Sequence, residues 1–290
     1  MNADSSSDEA ADFAAQQLRE ALIRCCALDA EAIKKIGHAA RVLDIDFAEA
    51  AVRTGFVTEE DLEYARHSAQ NGRTQNHHSP RAAPVQELML SRDPFDRRNE
   101  QILALRTELL LRHEGATRAN MMAVLSPGRG EGRSQLCAEL ALSFAQLGHP
   151  TLLVDADLRK PRQHQLFNAE PEYGLSYAIA KQEAPVLHSV EGYPWLSLLT
   201  AGPTPLNPLE LLSSSYFERL IKEWRHSYEF VVIDTAPVGL HSDGLAVATL
   251  VGRVVTVSRA NRTRYKQQRE MLRRLSVTRA QILGGVIKHF

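Results

Sequence analysis

The stretch Met121-Met-Ala-Val-Leu-Ser126-Pro127-Gly-Arg-Gly-Glu-Gly-Arg-Ser134 decides how this chain is read. A nearly continuous apolar run gives way to a loop with three glycines, and helical pattern over 134–147 follows at once. A strand that is apolar on both faces belongs inside a sheet covered on both sides. Glycines let backbone N–H groups turn inward around an anion, and the helix start adds the positive end of its dipole. The segment therefore reads as strand, phosphate loop and helix. A Gly-rich turn without a ligand is the alternative that this segment alone leaves open.

Working outward, β-rich runs recur over 151–154, 196–199, 230–233, 254–257 and 282–287, with helical stretches over 99–112, 209–226 and 264–275 between or before them. Continuous apolar strands alternating with helices imply an α/β fold, a mostly parallel sheet flanked by helices. Upstream the pattern differs. Residues 1–13 are small, acidic and Ser-rich and read as a disordered tip. Residues 14–70 carry helical spacing in Leu18, Leu22, Ile33, Ile36, Ala40 and Leu43, and read as a small helical domain. Thr58-Glu-Glu-Asp61 has the form of a capping box. Residues 71–98 are polar with three prolines and read as a linker, which leaves 99–290 as the nucleotide-binding domain.

Composition narrows the classes. The 290 residues are 44% hydrophobic and 24% charged, with 34 basic against 35 acidic side chains, so coating nucleic acid through bulk charge is not expected. Cys25, Cys26 and Cys137 form no disulfide framework and lack metal-ligand spacing. No apolar run is long enough to span a bilayer, and the acidic start lacks the form of a secretory signal.

Two further motifs support the phosphate loop. Thr151-Leu-Leu-Val-Asp155-Ala-Asp157 places two carboxylates where a strand runs out, on one side. Phe230-Val-Val-Ile-Asp234 is an apolar strand ending in an acid, the Walker B arrangement. The loop itself ends Gly132-Arg133-Ser134 where a Walker A loop ends Gly-Lys-Ser/Thr. Solvated loop acids or helix caps would account for each acid singly, but not for all three in this order.

These residues, with Gly174-Leu-Ser176 and Ala201-Gly-Pro-Thr-Pro-Leu-Asn-Pro-Leu-Glu-Leu-Leu-Ser-Ser214, resemble the bacterial tyrosine kinases of polysaccharide export, in particular the EpsG-type subgroup, over about residues 95–287. The resemblance implies an eight-stranded P-loop sheet of MinD/ParA-like type, with ATP and Mg2+ as cofactors. It implies autophosphorylation on tyrosine of a neighbouring subunit, a homo-oligomer, and a membrane-anchored polysaccharide co-polymerase whose cytoplasmic tail activates the kinase. The protein would then be cytoplasmic and peripheral at the inner membrane through that partner, without nucleic acid. Carried over by position, Gly128, Gly130, Glu131, Gly132, Arg133, Ser134 and Gln135 surround the nucleotide. Ser134, Asp157 and Asp234 stand near Mg2+, Asp155 accepts the tyrosine proton, and Arg133 assists the transfer. The alternative is a nucleotide-binding switch or scaffold of the MinD/ParA-like class without tyrosine transfer. Such positioning ATPases carry an extra Lys early in the loop, where this chain has Gly128.

The chain departs from the family in places. The family's Glu-x-x-Arg-x-x-Arg helix reads Glu100-Gln-Ile-Leu103-Ala-Leu-Arg106 here, and the tyrosines at 64, 173, 177, 193, 216, 228 and 265 are scattered rather than clustered at the end. Residues 252–274 hold eight basic side chains against Glu270, either a solvated helix face or a surface for an acidic partner. Asn261-Arg262-Thr263 is a surface loop or a contact to the nucleoside. Phe47 to Leu62 resembles the N-terminal domain of type II secretion ATPases, some of which bind cyclic-di-GMP through an Arg-Leu-Gly start. Here those positions are Asp46-Phe47-Ala48, and a helical protein-docking module is the other reading.

Overall fold

A computed structural model describes residues 30–59, 81–85, 97–112 and 120–289, together with positions 15, 16, 18, 19, 22, 28, 61, 62, 65, 66 and 88. The chain divides into two compact units, Met1–Asn76 and His77–Phe290.

In the first unit, helix α1 spans Ala30–Leu43 and α2 spans Phe47–Arg53. Asp46 caps α2, its carboxylate accepting the Glu49 N–H at 2.7 Å. The Thr58 capping box forms with Asp61 as its acid: the Asp61 N–H donates to Thr58 Oγ1 at 3.1 Å and the Thr58 N–H to Asp61 Oδ2 at 3.0 Å. Ile36, Ala50, Ala51, Val57 and Leu62 pack into a small core around Leu22. Gly37 lies inside α1 with open space around its missing Cβ. Gly37→Ala should therefore stabilise this unit, by about 0.5–1 kcal/mol in denaturant titration.

The second unit is one sheet with helices on both faces. Strand β1 (Arg81–Ala82) and helix α3 (Arg97–Leu111) precede β2 (Asn120–Leu125), α4 (Arg133–Ala145) and β3 (Thr151–Ala156). Then come α5 (Gln163–Leu166), α6 (Leu175–Lys181), β4 (His188–Val190) and β5 (Tyr193–Leu199). Helices α7 (Pro208–Leu212) and α8 (Ser215–Ser227) lead to β6 (Phe230–Thr235) and α9 (Asp243–Val251). Strand β7 (Arg253–Arg259), α10 (Tyr265–Leu275) and β8 (Gln281–Lys288) complete the unit.

Eight strands lie in the order β1-β4-β5-β3-β6-β2-β7-β8. All neighbours are parallel except β4 and β5. The expected α/β fold with a mostly parallel sheet is the one observed. Strand alternation sorts the core into two layers. Met122, Val124, Leu153 and Val232 face Leu140 and Phe144 of α4. Met121, Ala123, Leu152, Val231 and Ile233 face Phe217, Leu220 and Val247. Phe144 stacks on Phe230 with ring centroids 4.0 Å apart.

The structure corrects three expectations. The stretch read as one helix over 209–226 is two, because Ser214 turns the chain and caps α8 through the Phe217 N–H at 3.2 Å. Strands β1 and β4 are too short for periodicity to reveal. The segment read as a linker to residue 98 already joins the sheet at Arg81, paired with Ser189, and the Ala83 and Val85 N–H groups donate to Phe167 and Leu166 carbonyls at 2.7 and 2.9 Å. Buried Ala82 and Leu88 hold it there against the polar composition around them.

The turns quoted from the sequence meet by backbone. Leu175 and Ser176 N–H groups donate to the Thr200 and Ala201 carbonyls, both at 2.8 Å. A Cβ on Gly174 would lie 2.2 Å from the Gly202 nitrogen. No side chain can yield there, so Gly174→Ala should cost about 3 kcal/mol or more of stability, visible as a lowered unfolding midpoint or loss of folded protein.

Candidate active site

Strands β2, β3 and β6 are neighbours, and their carboxyl ends bring the loop and the acids together. Asp155 of β3 lies in register with Asp234 of β6, which in turn pairs with Val124 of β2. Asp157 follows one step beyond β3. All three carboxylates are buried, Asp155 and Asp234 without exposed surface.

The loop is built as an anion cradle. Gly130 and Gly132 take φ of +70° and +85°, which brings the chain round into α4 without strain. Gly132 caps α4 with no side chain, and the first turn carries no acid, so the helix N–H groups are not taken up by a carboxylate cap. The chain after β6 braces the loop: Val238 and Gly239 N–H groups donate to the Ser126 and Pro127 carbonyls at 2.9 and 3.0 Å.

Arg133 does not point outward. Its Nε donates to Asp234 Oδ1 at 3.0 Å, its Nη2 to Asp157 Oδ2 at 3.0 Å, and its Nη1 to Ser126 Oγ at 2.6 Å. The guanidinium, 8% exposed, thus bridges the two acids assigned to Mg2+. Asp234 Oδ2 accepts from Gln163 Nε2 at 2.9 Å, and the same amide donates to the Ser134 carbonyl at 3.0 Å. Asp155 is held by backbone: Oδ2 accepts from the Arg162 and Gln163 N–H at 3.0 and 2.9 Å, Oδ1 from Asp157 N–H at 3.2 Å.

Burial raises the pKa of Asp155 well above the ordinary value, and the neighbouring Asp234 adds to it against the backbone donors. Asp157 is raised to about 6 by burial, opposed by Arg133. Glu131 is buried beneath its own loop, and burial raises its pKa against hydrogen bonds from Thr263 and the Gly128 backbone.

The site residues read from sequence divide into two groups here. Gly128, Gly130, Glu131, Gly132, Arg133, Ser134, Asp155, Asp157 and Asp234 surround one end of the sheet. The Gln135 side chain turns away, its amide donating to Glu139 Oε1 at 3.0 Å while its carbonyl accepts from Lys288 at 3.2 Å. Gln163 and Ser126 were missed, because an amide and a hydroxyl beside a motif carry no pattern of their own. The loop 259–263 is nearer than expected: Arg259 donates to the Gly130 carbonyl at 3.3 Å, and the Arg262 guanidinium lies 3.0 Å from where a Gly130 Cβ would stand.

Among the described residues no group of three His, Cys, Asp or Glu stands open as a metal cage. The oxygens of Ser134, Asp157 and Asp234 have the hard-donor chemistry that Mg2+ takes alongside phosphate oxygens, so the set fits. In this arrangement Arg133 holds the same carboxylates.

The chain is 34% identical over 170 residues to the putative tyrosine-protein kinase CapB of Staphylococcus aureus, covering 57% of this chain and 73% of that one. It is 33% identical over 198 residues to the tyrosine-protein kinase YwqD of Bacillus subtilis, covering 67% and 82%. The crystal structure of the chimerical protein CapA2B2 superposes with a TM-score of 0.66 at 29% identity, over 79% of this chain and 98% of that chain. No family profile matches the chain. The chain belongs to the family of bacterial tyrosine-protein kinases.

The raised Asp157 gives a pH signature. Folded, it keeps its proton up to about pH 6; unfolded, it loses it near 3.8. The folded state binds more protons in that window, so this group makes the protein less stable as pH rises from 4 to 6. Asp157→Asn should flatten that slope and stabilise the nucleotide-free protein at pH 7 by about 1 kcal/mol, read as a melting temperature some 2–4 °C higher.

Proposed function

We propose that this chain is an ATP- and Mg2+-dependent protein-tyrosine autokinase that regulates exopolysaccharide chain length, polymerisation or export. Its partner is the cytoplasmic tail of a membrane-anchored co-polymerase, it forms a homo-oligomer, and it works in the cytoplasm at the inner membrane through that partner. No helix among the described residues is long and apolar enough to cross a membrane. The observation that carries the proposal is the convergence of Asp155, Asp157 and Asp234 beside a Gly-rich helix start without a carboxylate cap. The names of the relatives give the reaction class.

In this reading the loop N–H groups of Gly128 to Ser134 hold the phosphates. Arg133 exchanges its acids for the phosphates and stabilises the charge that develops in transfer. Ser134, Asp157 and Asp234 hold Mg2+, which neutralises phosphate charge. Asp155 accepts the proton of the incoming tyrosine hydroxyl, ordinarily retained up to a pKa of about 10. Residues 14–70 form a separate helical docking module. A nucleotide-binding scaffold without transfer is the second reading, favoured by Arg133 being locked on the acids that Mg2+ requires.

Calorimetry with ATP, with and without Mg2+, separates the parts. Ser134→Ala and Asp234→Ala should each weaken the Mg2+-dependent component at least about tenfold, about 1.4 kcal/mol. Unchanged affinity in both would defeat the metal assignment. Asp155→Asn should leave ATP binding within about threefold and abolish phosphotyrosine, since Asn keeps the size but not the basicity. ATP binding without any phosphotyrosine in the wild type, with the partner's tail present, would favour the scaffold.

A further inference from the structure

Which hydroxyl receives the phosphate is written in the surface of the chain. Three of its seven tyrosines are committed to the fold. Tyr216 donates to the Glu183 carbonyl at 2.6 Å. Tyr228 and Tyr193 are both partly buried, the first bonded to Ser197 and the second to Gln146. Tyr64 lies outside the described residues. Tyr173 and Tyr177 pack edge to face at 5.3 Å between ring centroids. Tyr265, the first residue of α10, has 78% of its surface in solvent, against 60% for Tyr173.

Charge separates the two exposed candidates. Tyr173 follows Glu170-Pro-Glu172, whereas Tyr265 stands in Arg262-Thr-Arg264-Tyr-Lys266, with Arg269 one turn on. All four of those basic side chains are exposed; the nearest acid along the chain, Glu270, is occupied by Arg273 at 2.7 Å, and Arg262 also lies near the buried Glu131. A site that combines three buried carboxylates with a bound triphosphate attracts a cationic segment and repels an anionic one. The product is favoured by the same surroundings. A phosphate of about −1.5 to −2 charge in the first turn of a helix, among arginines, is stabilised by the helix dipole and by new charge-assisted bonds. Next to Glu170 and Glu172 it would be repelled.

Resting on the kinase reading above, with its transfer between neighbouring subunits, we infer that Tyr265 is the phosphate acceptor of this chain. A ring mostly in solvent is not docked in the buried acid cluster of its own chain. In the step, the Tyr265 oxygen bonds to the γ-phosphorus of the nucleoside triphosphate and the bond from that phosphorus to the bridging oxygen breaks. The diphosphate leaves with the electron pair, and the hydroxyl proton passes to a carboxylate and then to solvent. The basic run over 252–274 thereby gains a task as the recognition sequence around the acceptor.

The test uses the full chain, ATP and Mg2+, with phosphosite mapping by mass spectrometry and total phosphotyrosine by blotting. Tyr265 should carry most of the label, and Tyr265→Phe should remove at least about three quarters of it, whereas Tyr173→Phe/Tyr177→Phe should not. An isotope-labelled Asp155→Asn chain mixed with unlabelled Tyr265→Phe chain should acquire phosphate on its own Tyr265, which only transfer between copies can produce. Lys266→Glu/Arg269→Glu should slow labelling of Tyr265 at least about fivefold with ATP affinity unchanged. Phosphotyrosine elsewhere with Tyr265 unmodified overturns the assignment and leaves the kinase reading standing. ATP binding with no phosphotyrosine on this chain or any added protein overturns both.

Discussion

Three carboxylates buried at the ends of two adjacent strands are the constraint to which the rest of the site answers. Taking each out of water costs several kcal/mol, and their mutual repulsion adds to that. The fold offsets this with one guanidinium, one amide and a set of backbone N–H groups. Arg133 reaches Asp157, Asp234 and Ser126 at once. A lysine ammonium is a compact point charge on a flexible stem, whereas the planar fork of Arg presents several donors in fixed directions. The planar fork of Arg133 is therefore fitted to these three partners.

That fit couples binding to rearrangement. The positions at which Arg133 would meet phosphate and at which it neutralises Asp157 and Asp234 are different partners for the same group. On the roles proposed above, entry of a nucleotide with its cation would be an exchange in which the guanidinium leaves the carboxylates as another cation takes them. Part of the binding free energy would then go to breaking a buried ion pair, and the rest would remain for affinity. The loop contact from Arg262 is less deeply held, since this side chain is exposed, and can adjust without such a cost.

Much of this was legible in the sequence because the decisive segments are regular. Strands β2, β3 and β6 carry apolar runs and are buried throughout, and each runs out at a glycine-rich turn or an acid, so pattern and position coincide. The Gly174–Gly202 backbone contact lay in two motifs that the sequence marked as separate. What remained hidden follows from brevity or from partners far apart in the chain. Two-residue β1 has no period. Ser214 interrupts a helical pattern with a residue that also suits helices. Gln163 becomes part of the site only because β3 leads into α5 directly beneath Asp234. Gln135 was placed at the nucleotide by adjacency, but one residue into a helix is a rotation of about 100°. That rotation carries its side chain to Glu139 and Lys288 instead.

Asp155 shows where geometry sharpens the chemistry. Its Oδ2 accepts two N–H groups from the start of α5, and no part of it reaches solvent. A hydroxyl can meet this carboxylate only when the 159–163 segment gives way. That segment is tied at one end by Arg159, which donates to Asp243 at the start of α9 through Nη2 at 3.2 Å. At the other end Gln163 holds Asp234 and the Ser134 carbonyl. The segment that covers Asp155 is thus fastened to Asp234 and to the backbone at Ser134. Arg133 and Gln163 share Asp234, so on the roles proposed above loading of the phosphate site and uncovering of Asp155 would be linked through one side chain. A free carboxylate beside a bound triphosphate would activate water as readily as tyrosine. On the role proposed above for Asp155, keeping it covered until the loop is occupied, and until an acceptor presses in, would favour tyrosine over hydrolysis.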